Sequence, residues 1–234
     1  MFTESTYKEL KLFFKLTQKF SNLPFQYDEA IGKLNVFSSL KSKIWYATML
    51  LWVFVRAVYH TGWIVHSIAY GFPSISDSTV EVFFAILFIT VFSLNLVVYL
   101  KRQEFAEFLS KLLAVNKTWK SQYLVPQVRH RGEHWETGER FGDGCSLYMK
   151  LLTPSGFNGS LAFAMLFMLQ PNKRLYYFHI LPPPGGANKP VWMMALYAVW
   201  ESYTFCWHTS IFYFLWYSQL MYTNSSNFWL SQIK

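Results

Sequence analysis

The chain has 234 residues, 53% of them hydrophobic, 21% aromatic and only 15% charged, with a formal net charge of +8. An average soluble domain carries about 25% charged residues, and here the apolar residues gather in long blocks, which argues against a soluble domain and for an all-α, multi-pass membrane protein. Two cysteines, Cys145 and Cys206, without a CxxC, exclude a disulfide framework.

Residues 1–43 read as a short amphipathic helix followed by a turn. Tyr7, Leu10, Phe14 and Thr17 share a face, with Lys8, Lys11, Lys15 and Lys19 around it. Such a basic amphipathic segment is expected to lie at a membrane surface rather than on nucleic acid. Pro24 ends the pattern. No apolar leader precedes residue 44, so the first hydrophobic block is expected to act as an uncleaved anchor.

The first span is expected over 44–70. About 20 apolar residues at 1.5 Å each cross a hydrocarbon core of about 30 Å. Trp45, Tyr46 and Tyr70 stand at its ends, as interfacial aromatics do. Residues 71–79 read as a polar turn. The second span, 80–100, carries Glu81 near its start and Asn95 within, and Lys101 and Arg102 close it. Phe105, Phe108, Leu109, Leu112, Leu113 and Trp119 then follow the spacing of a helix with one buried face. The rest of 101–150, with its charged glycine-bearing stretch, reads as a loop.

A third span is expected over 151–170, although only Leu161–Leu169 is continuously apolar and Pro154, Gly156 and Gly159 thin the remainder; re-entry is the alternative. Prolines and glycines between 171 and 190 oppose helix. The fourth span is expected over 191–217, with 221–234 a polar end. Residues 1–43 hold seven lysines and arginines and 101–150 hold nine, against none in 71–79 and three in 171–190. The positive-inside rule therefore places the N-terminus of an integral membrane protein in the cytoplasm; the plasma membrane is the expected location.

Catalytic and metal chemistry find little support. Cys206 and His208 are two apart on a helix, about 200° around it, and cannot chelate one ion together. His130, Glu133 and His134 form one histidine box, where membrane di-iron enzymes need several; a solvated loop fits better. His60 and His66, six apart, do not make a second box. The expectation is no enzyme, no cofactor, no metal and no nucleic-acid partner. Sequons at Asn116 and Asn224 fall on the cytoplasmic side of this topology, where they are chance matches.

Charges inside spans carry more information, because an ionisable group at the bilayer centre costs at least about 2.5–3.5 kcal/mol. Arg56 lies about 18 Å from the inner end of its span and Glu201 about 15 Å from the outer end of its own, so their depths nearly coincide. They are expected to pair across helices; the alternative is separate snorkelling or water-facing positions. Tyr197, Glu201, Thr204, His208, Phe212 and Gln219 fall within about 60° of one helical line. Such a stripe faces protein, through interhelical hydrogen bonds, or a ligand cavity.

Four segments carry a resemblance: "LPFQYD" (23–28), "SLKSKIWYATMLLWVFVRAVY" (39–59), "PNKRLYYFHILPPP" (171–184) and "WESYTFCWHTSIFYF" (200–214). With them the chain resembles the N-terminal half of the arthropod gustatory and odorant receptor superfamily, especially the gustatory-receptor-like proteins of springtails. The resemblance covers spans one to four. It implies a subunit of a seven-span, tetrameric, ligand-gated cation channel whose small-molecule pocket lies in the outer half of the membrane. On that resemblance Tyr197 and Glu201 are pocket positions. The pore-lining seventh helix has no counterpart in these residues, so the reading is of a truncated or fragmentary receptor that does not conduct ions alone. The alternative is a self-contained four-span structural or adaptor protein that acts through helix packing.

Overall fold

The computed structural model describes residues 4–28, 31–71, 75–119, 144–169 and 190–233. It is mostly helical. In chain order it comprises α1 (Glu4–Lys19), β1 (Phe25–Asp28), β2 (Lys33–Val36), α2 (Leu40–Tyr70), α3 (Ile75–Leu100), α4 (Arg102–Trp119), α5 (Gly144–Leu169) and α6 (Val191–Ile233). Among the described residues, two helical stretches are long and apolar enough to cross a membrane, Leu40–Tyr70 and Thr79–Leu100; Asn158–Leu169 is a shorter apolar stretch.

The described residues fall into two compact units, one of Met1–Lys43, Leu100–Ser155 and Ser210–Lys234, the other of Ile44–Tyr99 and Gly156–Thr209. The boundaries at 43/44 and 99/100 coincide with the ends that the hydropathy pattern gives the first two spans. The N-terminal segment does not stand apart: it belongs with α4 and the end of α6.

In the first unit, α1 ends in a complete helix-stop motif. Ser21 takes a left-handed φ of 52°. The N–H of Asn22 reaches Thr17 O at 2.9 Å and that of Ser21 reaches Gln18 O at 3.1 Å, the paired bonds of a Schellman cap. The chain then folds into an antiparallel hairpin, with Phe25 opposite Val36 and Asp28 opposite Lys33. The sequence reading gave only a turn here. The signal was present: alternation in Phe25-Gln-Tyr-Asp and Lys33-Leu-Asn-Val flanks a glycine, and Gly32 takes the φ of +71° that the turn requires. All-α is thereby corrected to helical with one hairpin.

Helix α4 receives the hairpin: the Leu34 N–H donates to Ser110 Oγ at 3.0 Å. Tyr7 Oη donates to Leu113 O at 3.0 Å. Burial, with a smaller contribution from the neighbouring Tyr27, pushes the Tyr7 phenol up to about 12. The apolar face of α1 is covered by protein. Phe13 meets Tyr217 edge-on at 4.9 Å, Phe14 stacks on Tyr27 at 5.7 Å, and Leu10 and Thr17 are buried. That face is therefore closed by protein rather than open to lipid. Phe25 stacks on Phe214, which Phe105 also meets, and Asn22 Nδ2 donates to Ser210 Oγ at 2.9 Å. These contacts between ends of the chain make one small core.

In the second unit, Tyr46 near the start of α2 donates to Asn95 Oδ1 at 3.0 Å, and its ring stacks on Tyr99 and touches Trp207. Helices α5 and α6 meet through Phe163, Phe167 and Ala198, all buried. Gly159 allows this approach: a Cβ there would stand 3.3 Å from Phe205 Cε1, and small residues of this kind let helix backbones close up.

Several boundaries differ from those read in the sequence. Helix α3 begins at Ile75, inside the polar turn, because Ser and Asp suit a helical first turn once apolar residues follow. Helix α5 begins at Gly144, within the expected loop, and runs through Pro154, which is exposed and costs one intrahelical hydrogen bond without ending the helix. Helix α6 continues through the expected polar end to Ile233. Residues 121–143 and 170–189 of the expected loops lie outside the described residues.

Candidate functional site

The second unit concentrates its polar groups inside. Arg56 and His60, four apart on α2, share one face; Glu81 and Phe88 on α3 and Glu201, Thr204 and His208 on α6 complete the set. Arg56 Nη1 donates to Glu201 Oε2 at 2.9 Å, and the two side chains are 1% and 0% exposed. The structure thus brings together the two charges whose depths the sequence matched. Their attraction opposes a desolvation penalty of several kcal/mol per ion, and a third group shares the load. The Arg56 guanidinium carbon lies 4.6 Å from the Phe88 ring centroid, a cation–π contact that stabilises by about 2 kcal/mol when desolvated.

Phe88 is the centre of the cluster. The His60 ring stacks on it at 5.1 Å with 12° between planes, and the His208 ring meets it edge-on at 5.4 Å. His60 Nδ1 lies 3.2 Å from Glu81 Oε2; His60 is fully buried and Glu81 is 15% exposed. Thr204 Oγ1 donates to Glu201 O within its own helix, which satisfies the hydroxyl locally. Among the described residues, Glu201 Oε1, His60 Nε2 and His208 Nε2 are buried and meet no hydrogen-bond partner. A fully buried carboxylate oxygen with no donor is a strong acceptor that this interior can offer to something else.

The stripe on α6 is only partly where a 100° step puts it. Glu201, Thr204 and His208 are buried and Tyr197 and Phe212 half-buried, but Gln219 is exposed. Buried positions are 198, 201, 204, 207, 208, 210, 211, 214, 217, 218, 221 and 225, among which 201, 204, 208, 211, 214, 218, 221 and 225 follow a spacing close to 3.5 residues per turn. That seam drifts by about 20° per heptad from a 3.6-residue line, which carries Gln219 out of it. Tyr197 lies one turn before Glu201, and its ring packs 5.1 Å from Phe167.

Cys206 is half-buried and reduced, while His208 is buried. Among the described residues no three of His, Cys, Asp and Glu are grouped to hold a metal ion. His66 is exposed, and its ring meets those of Trp63 and Tyr70. His130, Glu133 and His134 lie outside the described residues.

Sequence reasoning missed the His60–Glu81 and Tyr46–Asn95 contacts, yet the depth argument that paired Arg56 with Glu201 extends to both. His60 and Glu81 lie about 24 Å and 28 Å from the inner ends of their spans, and Tyr46 and Asn95 about 3 Å and 8 Å. Compared with protein-family models, curated proteins and solved structures, the chain finds no match.

Proposed function

We propose that the protein is a four-span integral membrane protein of the plasma membrane, with a cytoplasmic N-terminus, acting as a receptor-type subunit that takes a small molecule beside Glu201. The observation that supports this reading is the inverted polarity of the second unit. Leu51, Val58, Val65, Ile68, Phe83 and Ile86 are 54–70% exposed, while Arg56, His60, Asn95 and Glu201 are 0–1% exposed. Only 28% of the apolar window of each long helix is buried. A core helix of a water-soluble protein would be covered; an apolar exterior this continuous is a surface for lipid. The aromatic α6 and the apolar end of α5 supply the third and fourth spans in this reading, with Trp and Tyr favouring the interface.

The ligand class follows from charge. Arg56 already neutralises Glu201, so a second cation would leave the pair with an uncompensated charge. A neutral amphiphile with one O–H or N–H donor for Oε1 and an apolar body suits the site better. The chemosensory role comes from the resemblance alone, as does assembly into a tetramer; that the protein is not an enzyme is read from its residue pattern. The second reading, a packing or adaptor protein, draws on the near-complete burial of the Arg56–Glu201 pair, which locks α2 to α6 without any ligand.

A thermal-shift titration of the purified chain in lipid nanodiscs distinguishes them, using medium-chain alcohols and amides as probes. A ligand at 100 times its Kd stabilises by about 2.7 kcal/mol. The receptor reading expects such a shift in the wild type and its loss in Glu201→Gln and Tyr197→Phe. A shift indifferent to both substitutions, or none with any probe, favours the packing reading.

A further inference from the structure

With its apolar side closed by protein, α1 presents one other continuous surface. Lys8, Leu12, Lys15 and Lys19 fall within about 60° of one helical line, about 16 Å long, and all four are exposed, Leu12 by 46%. Glu9 is the only acidic residue between 8 and 19 and stands about 100° from Lys8, off this line. We propose that this basic strip docks on the anionic headgroups of the same membrane that α2 and α3 enter, so that α1 holds the first unit against the bilayer by its charged face.

Chain continuity selects that partner. The unit that contains α1 runs directly into the apolar part of α2 at Ile44 and out of that of α3 at Leu100. Lys41 and Lys43 stand exposed just before the first junction; Lys101, just after the second, is exposed and pairs with Glu104 at 2.6 Å. Juxtamembrane basic clusters of this kind are attracted to the anionic leaflet, by a factor of about five per lysine near the surface. The attraction decays within a Debye length of about 8 Å at physiological salt, so only a strip already tethered beside the membrane profits fully. Leu12, in the middle of the strip, adds an apolar contact at headgroup depth.

The inference rests on the membrane reading above, and the experiment separates the two. The full chain, with Cys145→Ser, Cys206→Ser and Leu12→Cys, carries an environment-sensitive fluorophore at residue 12. It is placed in nanodiscs of phosphatidylcholine alone or with phosphatidylserine, each doped with a headgroup nitroxide. The expected result is quenching several-fold stronger with phosphatidylserine, reduced about fivefold by each of Lys8→Gln, Lys15→Gln and Lys19→Gln, and lost in high salt. Equal quenching in the two lipids, or quenching that survives the triple substitution and high salt, overturns the proposal. Binding of the strip to nucleic acid or an acidic protein with no lipid dependence overturns it equally. Quenching of a second label on α2 at Val58, by lipids brominated in the acyl chain, reports insertion separately. If that fails, the membrane reading itself is wrong.

Discussion

Removing one member of the Arg56–Glu201 pair is the perturbation whose outcome the structure constrains most. Glu201→Leu leaves a guanidinium 1% exposed without its carboxylate, against the ring of Phe88. An uncompensated buried charge costs about 3–5 kcal/mol, and the cation–π contact is already present in the wild type, so it offsets none of this. At about 2–4 °C per kcal/mol for a chain of this size, melting falls by about 6–20 °C. Arg56→Met strands the carboxylate and costs a similar amount. The double variant Arg56→Met/Glu201→Leu removes both charges and keeps the volume, a change that is commonly neutral or stabilising by about 1–4 kcal/mol. The assay is thermal unfolding of all four proteins in one detergent, read as a double-mutant cycle. The coupling energy should be several kcal/mol, with the double variant at least as stable as either single one. Single costs below about 1 kcal/mol, adding in the double variant, would refute the claim that the pair is buried and mutually dependent.

Three smaller changes test the parts around it. Ser21→Gly relieves a left-handed φ of 52° and should stabilise by about 0.5–1 kcal/mol, read as a raised denaturant midpoint. Gly159→Ala should be near neutral, since a helix-propensity gain of about 1 kcal/mol is offset by the 3.3 Å contact with Phe205. Gly159→Leu should cost about 1–3 kcal/mol by overpacking. Tyr7 predicts an alkaline transition. Its phenol rises from 10.0 to about 12 on folding, so the native state holds the proton more tightly. The stability this provides is complete below pH 10 and is lost as pH climbs toward 12. In Tyr7→Phe, unfolding followed by far-UV circular dichroism should lose that component of its pH dependence.

The two helices long and apolar enough to cross a membrane, Leu40–Tyr70 and Thr79–Leu100, were legible because composition and length alone dictate them. So was the matching depth of Arg56 and Glu201, from which pairing was one of two outcomes; the 2.9 Å contact selects it over separate snorkelling positions. The hairpin was not, because four-residue strands leave too short an alternation to outweigh the helical pattern before them. Helix ends were missed where the helix continues through residues that oppose it in isolation, as in α5 passing Pro154 and α6 running to Ile233. The covering of α1 was beyond reach for a different reason. Phe13 and Phe14 look alike as membrane-facing or core residues, and only Tyr217 and Tyr27, distant in sequence, decide between them. Phe88 is the same case: one phenylalanine among many until Arg56, His60 and His208 converge on it.

Membrane topology is the claim on which the functional reading depends, and glycosylation mapping tests it directly. Acceptor sequons on flexible inserts are placed before Glu4, between Tyr70 and Ile75, after Trp119 and between 171 and 189, and the chain is expressed in microsomes. The four-span account predicts modification at the second and fourth positions only, with the native Asn116 and Asn224 unmodified. Modification before Glu4 or after Trp119, or at none of the four sites, would contradict it.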